Sequence, residues 1–280
     1  MHNANNNFKN NLLRLKSEGD IITSRPSYTD GTQSKSISIK QVFEQYNTQT
    51  ESVIHNFRPT AIKSAIQEIF WIYQDQTSDL SKAHERGIYW WDEFDVGNGT
   101  IGKAYGQTIK EYDLLNPVLD DMINEPYSRR HIIDMWQINH IRHQYKVGGL
   151  VPCAYSTIWS IDKDYNIDFT LLQRSGDYVT AASAINKIQY QALALMIAGH
   201  LRFHTNKNYQ LRNKGHYTHD LHIYDRHLNA LDELLEREPS NEMQTIELLS
   251  DKDFYDYTIE DFKINKIKID NIKSNLDLAI

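Results

Sequence analysis

The segment that most restricts the fold is residues 185–203, which are apolar on almost every side. A helix with a single apolar face can lie on a surface, but a helix that is apolar all round must be enclosed by other elements. We therefore expect a central buried helix. Its longest apolar run, residues 192–198, is far shorter than the roughly 20 residues that cross a bilayer, so the helix belongs to a protein core.

Hydrophobic periodicity and turn residues predict the other elements. Helices are expected at 60–73, 114–124 and 221–237. Strands are expected at 37–39, 131–138, 154–161 and 166–172, with a hairpin turn at 162–164. Residues 24–35 and 87–105 are interpreted as loops, and residues 1–20 as a flexible lead-in or a short helix.

Strands and helices that lack regular strand–helix–strand alternation indicate a single α+β domain covering residues 1–280. Hydrophobic residues make up 40% of the chain and charged residues 24%, which allows a sizeable core. The net charge of −7 disfavours a nucleic-acid-binding protein, because such proteins usually present a positively charged surface. No signal peptide is recognisable at the N-terminus, so we expect the cytoplasm and no membrane partner.

Cys153 is the only cysteine, which excludes an internal disulfide and a four-cysteine zinc site, and we expect no metal. A lone cysteine is more often a small buried apolar residue than a nucleophile. Arg174 and Ser175 follow one hairpin later, and a thiol near a guanidinium suits a nucleophile beside an anion site. Taken singly, each residue has an ordinary structural explanation. The order of several motifs along the chain therefore has to decide between a structural and a catalytic role.

That order resembles the thymidylate synthase family over most of the chain. The matching segments are Glu68-Ile69-Phe70-Trp71, Trp91-Asp92-Glu93-Phe94, the loop ending in Tyr105-Gly106, Ser128-Arg129-Arg130, Leu150-Val151-Pro152-Cys153, Gln173-Arg174-Ser175-Gly176-Asp177 and Asp220-Leu221-His222-Ile223-Tyr224. The resemblance implies an α+β fold with a mixed, twisted sheet flanked by helices. It also implies a homodimer in which the sheets pack face to face.

The resemblance further implies that the chain makes dTMP from dUMP, using 5,10-methylenetetrahydrofolate as the one-carbon donor. Cys153 would add to the pyrimidine as the nucleophile, because the thiolate is the reactive form of cysteine. The residues expected in catalysis are Cys153, Glu68, Arg174, Asp177 and Tyr105. Guanidinium groups such as Arg174 would favour the thiolate, and partial burial of Glu68 would raise its pKa.

Other residues would bind the nucleotide and the folate. For the nucleotide these are Arg129, Arg130, Gln173, Arg174, Ser175, Asn186, His222 and Tyr224, with Arg129 and Arg130 reaching across the dimer interface to the partner's phosphate. For the folate they are Trp90, Trp91, Asp177 and the terminal Ile280.

Three departures from the family pattern leave alternatives open. Ala154 follows the nucleophile where histidine is common, and Thr29 takes the place of the phosphate-loop arginine, for which Lys35 or Arg25 would have to compensate. Residues 177–190 place Asn186 at the uracil-reading position only if one extra residue is accommodated; otherwise Ile185 falls there.

The alternatives are 5-hydroxymethylation of dUMP or of another pyrimidine nucleotide, or a degenerate member that only binds nucleotide. Residues 221–227 look more like the deoxycytidylate hydroxymethylase version of the family. Asn186 favours uracil over cytosine, because an amide can both accept from N3–H and donate to O4.

Overall fold

One six-stranded mixed sheet organises the chain. A computed structural model describes residues 2–274 and Leu276, apart from the side chain of Arg25. The sheet strands are β1 (Asp20–Ser27), β2 (Gln33–Asn47), β3 (Ile132–Asp134), β4 (Ala154–Ile161), β5 (Asn166–Asp177) and β6 (Gln210–Tyr224). Their order is β1-β2-β6-β5-β4-β3; β5 and β6 run parallel and every other neighbouring pair is antiparallel. The mixed α+β class is therefore confirmed.

The helices are α1 (Asn3–Glu18), α2 (Ile62–Ile69), α3 (Leu80–Glu85), α4 (Gly106–Tyr112), α5 (Asn116–Asn124), α6 (Ile138–Val147), α7 (Ile185–Thr205) and α8 (Leu228–Glu236). A separate two-stranded sheet pairs β7 (Thr245–Leu248) with β8 (Phe262–Asn265). In the part of the chain that the structure describes, no helix is both long enough and apolar enough to cross a membrane.

Helix α7 is the buried helix that the sequence predicts. Ile188, Leu193 and Ile197 have no exposed surface, and even the polar Lys187 is fully buried. The helix contacts α2, α5 and the sheet strands β5 and β6. It therefore forms the centre of the main hydrophobic core.

Of the two alternatives for the N-terminus, the helix is found. Phe8, Leu12 and Leu15 recur at helical spacing on α1 and are completely buried. They pack with Ile39 and Val42 of β2 in a second hydrophobic cluster. Burial of three large side chains stabilises this helix, so it belongs to the domain.

Helix 60–73 is confirmed in α2, which continues directly as a π-helix, Phe70–Gln74. Helix 114–124, strand 154–161 and the hairpin turn before β5 are confirmed as well. The loop 87–105 holds only a short 3₁₀ helix, Asp92–Phe94, as expected for its aperiodic sequence. Strand 166–172 is correct but continues to Asp177.

Two sheet predictions are wrong in extent. The loop at 24–35 is mostly an antiparallel hairpin, in which β1 and β2 leave only residues 28–32 as the turn. The strand at 131–138 is limited to β3, because α6 begins at Ile138. Pairing with a neighbouring strand, which short sequence windows do not contain, determines both boundaries.

The helix predicted at 221–237 is wrong in its first part. Residues up to Tyr224 belong to β6, which is paired with β2 on one side and β5 on the other. Backbone hydrogen bonds from two neighbouring strands outweigh the weak local helical pattern. Only α8, beginning at Leu228, is helical as predicted.

A π-helix lies in the segment for which the family pattern leaves two alignments open. Residues Tyr178–Ala182 form it immediately after β5. A π turn closes hydrogen bonds from residue i to i+5, so it takes up one residue more than an α turn. Asn186 lies in the first turn of α7, and its place at the uracil-reading position stays a prediction.

Candidate active site

The predicted site residues meet at one edge of the sheet. Cys153 immediately precedes β4, and its carbonyl oxygen accepts a hydrogen bond from the backbone N–H of Arg174 at 2.9 Å. The carboxyl ends of the parallel strands β5 and β6 lie side by side, with Ser175 opposite Asp220 and Asp177 opposite His222. Three strand ends therefore converge around the thiol.

Arg174 holds the segment that contains Cys153 through its side chain. Its Nη2 lies 3.4 Å from Cys153 Sγ and 2.9 Å from the carbonyl oxygen of Val151, and its Nε donates to the carbonyl of Pro152 at 3.0 Å. The guanidinium also lies over the Trp136 ring, 5.8 Å from its centroid. This network fixes the guanidinium beside the sulfur.

The pKa of the Cys153 thiol is raised, whereas the sequence analysis expected nearby guanidinium groups to favour the thiolate. Burial raises the pKa of Cys153, and the nearby charge of Arg174 only partly opposes this effect. The side chain nevertheless retains some exposure. In the nucleotide-free protein the thiol is therefore the favoured form, and Arg174 limits the rise in pKa but does not reverse it.

Tyr105 supports the backbone of Cys153. Its Oη accepts the backbone N–H of Cys153 at 3.0 Å, and its pKa is raised by burial and then by the charge of Cys153, with a smaller effect of Glu68. Its φ of 47° is a left-handed conformation that is costly for a tyrosine. Such strain is often stored at functional sites, and here it places the phenol against the nucleophile segment.

Glu68 is 4% exposed and lies on α2. Burial raises its pKa to about 7, while hydrogen bonding, first of all from Trp90, opposes the rise. The Trp90 indole Nε1 donates to Glu68 Oε2 at 2.8 Å. A carboxyl group with a pKa near neutrality can both give and take a proton, as the sequence analysis expected.

Asn186 is held by amide side chains on both sides. Gln173 Nε2 donates to Asn186 Oδ1 at 3.1 Å, and Asn186 Nδ2 donates to Gln189 Oε1 at 2.9 Å. Gln173 is 2% exposed, whereas Asn186 is only half-buried. An asparagine whose amide is oriented but still accessible can recognise a base edge.

Asp177 ends β5 and caps the π-helix, because its carboxylate accepts the backbone N–H groups of Val179 and Thr180 at 3.1 and 3.4 Å. Burial alone would raise the pKa of Asp177, but interactions with His227 and His222 outweigh it and the pKa is lowered. Asp177 is therefore ionised at neutral pH.

The sugar-binding signature occupies the end of β6 and lies near the turn at residues 28–32. His222 Nδ1 is 3.3 Å from Asp220 Oδ1, and its ring meets the Tyr224 ring edge-on. Tyr224 in turn contacts Tyr28, which donates to Asp225 Oδ1 at 2.6 Å. The sequence that resembles the phosphate loop thus lies beside the sugar signature.

That turn does not itself supply a cation at the arginine position. Asp30 pairs with Arg226 at 2.5 Å, and the interaction lowers the pKa of Asp30 to about 2. The Lys35 side chain is exposed and close in sequence, while the Arg25 side chain lies outside the described residues. Lys35 as the compensating cation stays a prediction.

Arg129 and Arg130 are exposed and are not brought to the thiol. They precede β3, in which Ile132 lies opposite Ile158 of β4. At about 3.3 Å per residue along β4, this register places them roughly 20 Å from Cys153 of the same chain. Neither guanidinium forms an ion pair with a residue that the structure describes.

The remaining predicted site residues differ in how far they are buried. Trp90 is half-buried beside Glu68, whereas Trp91 is 8% exposed and packs against Tyr105 and Phe94 in the core. The Trp91 indole N–H makes no hydrogen bond of good geometry with a described group. Ser175 is half-buried at the end of β5, and Ile280 lies outside the described residues.

Among the described residues, one histidine–aspartate group away from this site has its nitrogen and oxygen atoms close enough together for a metal. His204 Nε2 and His200 Nδ1 lie 2.8 and 3.4 Å from Asp253 Oδ2. However, His200 Nδ1 already accepts the backbone N–H of Phe254 at 3.1 Å. The lone pair that a metal would need is engaged, so these contacts tie the end of α7 to the following segment.

Sequence analysis missed Gln189 and His216 and gave Tyr190 no role. The Tyr190 hydroxyl donates to the Ala154 carbonyl at 3.4 Å, next to the nucleophile. Gln189 follows Asn186 by three residues, a spacing that places both on one helix face. His216 belongs to the first part of β6, in residues 210–220, to which the sequence analysis assigned no element.

Comparison with known proteins gives one consistent result. The family described as "Thymidylate synthase" matches residues 6–276. Thymidylate synthases of Streptococcus pneumoniae (strain 70585) and Streptococcus gordonii (strain Challis) are each 36% identical over 291 aligned positions, covering 100% of both chains. The solved structure of thermostable thymidylate synthase A from Bacillus subtilis has a TM-score of 0.85 at 27% identity, covering 99% of each chain.

Proposed function

This chain belongs to the thymidylate synthase family and is a methyltransferase that forms dTMP; we propose that it uses dUMP as substrate and 5,10-methylenetetrahydrofolate as the carbon donor. The observation that carries the proposal is that Arg174 and Tyr105 both contact Cys153, with the buried Glu68 close enough to affect the pKa of Tyr105. A protein that only binds nucleotide needs neither a thiol held against a guanidinium nor a buried carboxyl of near-neutral pKa.

Cys153 acts as the nucleophile. Its thiolate adds to carbon 6 of the uracil ring, which makes carbon 5 electron-rich enough to accept the one-carbon unit. Arg174 is within 3.4 Å of the sulfur and stabilises the negative charge while the thiol loses its proton. Tyr105 holds the backbone of Cys153 in place through the hydrogen bond to its N–H.

Glu68 serves the proton transfers. Because its pKa is about 7, its protonated and ionised forms are similarly populated at neutral pH. Asp177, which is ionised, and Asn186, which is oriented by Gln173, lie at the same edge and suit the folate and the base, respectively. His222 and Tyr224 at the end of β6 suit the sugar hydroxyl.

The folate needs a flat, partly apolar surface, and the half-buried Trp90 indole beside Glu68 offers one. When bound, methylenetetrahydrofolate supplies the carbon and the reducing hydride. Trp90 then contributes an aromatic wall and at the same time keeps Glu68 in position. Trp91 supports this wall from the core, and Ile280 would help to close the site.

The nucleotide phosphate is bound by Arg174 and Ser175 together with Arg129 and Arg130 of a second copy. The register distance of roughly 20 Å excludes these two arginines from the Cys153 site of their own chain, which supports a role in trans. The sheet face opposite α7 exposes Phe43, Ile132 and Ile158, as a sheet that packs on a second sheet would. The active form proposed is therefore a face-to-face homodimer.

Incubation with dUMP and methylenetetrahydrofolate tests the reaction. Formation of dTMP with a rise in dihydrofolate absorbance is expected. Hydroxymethyl-dUMP without that rise would instead establish hydroxymethylation. Turnover of dCMP but not of dUMP would show that the substrate carries cytosine in place of uracil. If 5-fluoro-dUMP with folate gives no covalent adduct on Cys153 by mass spectrometry, the protein is a binder and the proposal is wrong.

Mixing two inactive variants tests the shared site. Arg129→Ala leaves Cys153 intact, and Cys153→Ala leaves the arginine intact, so a heterodimer contains one complete site. Activity should return on mixing and subunit exchange. Absence of recovery in verified heterodimers would exclude action of Arg129 across the interface.

A further inference from the structure

A directional chain of hydrogen bonds connects a buried histidine to the candidate site. His216 Nε2 lies 2.8 Å from Gln173 Oε1, and the Gln173 amide nitrogen then donates to Asn186. Asn186 donates onward to Gln189 Oε1 at 2.9 Å. The Gln173 oxygen faces His216, and the amide nitrogens of Gln173 and Asn186 each donate to the next residue of the chain.

The Gln173 end of the chain fixes this direction. Gln173 Nε2 also donates to the carbonyl oxygen of Ser175 at 3.0 Å, and a carbonyl can only accept. The same nitrogen faces Asn186, so the Asn186 oxygen has to accept from Gln173, and its nitrogen is left to donate to Gln189.

His216 is suited to be the donor at the start of the chain. It is 1% exposed, and burial, together with the charges of Lys187 and Lys214, lowers its pKa well below the ordinary value. A neutral imidazole carries one N–H, and Gln173 Oε1 requires it on Nε2. His216 Nδ1 has no hydrogen-bond partner among the residues described, which suits the nitrogen that carries the lone pair.

We propose that His216 is a positioning residue that, through Gln173, locks the Asn186 amide in the orientation that accepts uracil and disfavours cytosine. The inference rests on the proposed function, because it concerns recognition of a pyrimidine nucleotide. Uracil offers an N3–H donor and an O4 acceptor, whereas cytosine offers the reverse pair. Recognising cytosine requires turning the Asn186 amide, which breaks its bonds to Gln173 and Gln189.

The test compares His216→Leu, which removes the donor, with His216→Gln, which can restore one. His219→Leu is the matched control, because His219 lies on the same strand but is exposed. Dissociation constants for dUMP and dCMP are measured by calorimetry on the full chain. An unsatisfied buried acceptor costs about 1–3 kcal/mol, so His216→Leu should reduce the preference for dUMP over dCMP by about tenfold.

His216→Gln should recover most of the preference, and the control should keep all of it. The inference is overturned if folded His216→Leu, checked by circular dichroism, retains the wild-type ratio. It is equally overturned if His216→Gln is no better than His216→Leu, because the side chain would then only fill space.

A second measurement separates this inference from the proposed function. Nitrogen-15 NMR should show the Nε2–H tautomer of His216 in the nucleotide-free wild-type protein and a mixture of tautomers in Gln173→Leu. A wild-type Nδ1–H tautomer would refute the chain whatever the enzyme does. If the tautomer is as expected but dUMP neither binds nor reacts, the proposed function is wrong and the hydrogen-bond chain stands.

Discussion

Replacing Glu68 by glutamine should change how the stability of the fold depends on pH. Glu68 is 4% exposed, and burial raises its pKa from an ordinary 4.5 to about 7. The folded protein therefore keeps the proton up to about pH 7, whereas the unfolded chain releases it near pH 4.5. Stability that is fully present below pH 4.5 is lost as the pH rises through 7.

The expected size follows from the two pKa values. One pKa unit corresponds to about 1.4 kcal/mol, so the difference between 4.5 and about 7 is worth about 3 kcal/mol. A neutral glutamine does not titrate. The free energy of unfolding of Glu68→Gln, measured relative to wild type, should therefore rise by about 3 kcal/mol between pH 4.5 and pH 8, whatever its constant offset.

Urea unfolding at fixed protein concentration, followed by fluorescence at several pH values, measures this difference. Glu93→Gln, at an exposed site on the loop that follows Trp91, is the control and should show a nearly flat difference. A flat difference for Glu68→Gln would refute the argument that burial keeps Glu68 protonated near neutrality. Glu68→Gln should also lose most of its dTMP-forming activity.

Three further outcomes are expected. Arg174→Leu should slow alkylation of Cys153 by iodoacetamide at pH 8 by about tenfold, as followed by mass spectrometry, because burial then raises the thiol pKa unopposed; an unchanged rate would contradict the 3.4 Å contact. Lys187→Met should cost about 3–5 kcal/mol in urea unfolding by leaving Glu44 buried without its 2.8 Å partner, and adding Glu44→Met should recover much of that loss; a double variant no more stable than the single one would argue against the pair. Gly106→Ala should lower the melting temperature by several degrees, because its Cβ would lie 2.5 Å from a backbone oxygen; an unchanged melting temperature would exclude this clash.

The order of short motifs along the chain was enough to predict the family. The same resemblance selected Cys153, Arg174 and Tyr105, and the structure brings these three into contact. Local patterns also gave the buried helix α7 and the hairpin of β4 and β5, because periodicity and turn residues are properties of adjacent positions.

Properties that depend on neighbours distant in sequence were not predictable. The first part of the helix expected at 221–237 was wrong, because residues up to Tyr224 form a strand that is hydrogen-bonded to β2 and β5. For the same reason His216 was missed: only the pairing of β5 with β6 brings it to Gln173. The π-helix before α7, Tyr178–Ala182, was not predicted either.

The sequence by itself determined the family and the central helix, since the order of motifs and the hydrophobic pattern are properties of the residues themselves. It also proposed Cys153 as the nucleophile, through the resemblance to the family. Only the tertiary structure decided the protonation behaviour of the site and the orientation of its amides. Burial raises the pKa values of Cys153 and Glu68, and desolvation is set by all the atoms packed around a group. The Asn186 amide is oriented by Gln173 and Gln189, and Gln173 reaches it only because the chain folds β5 against the first turn of α7.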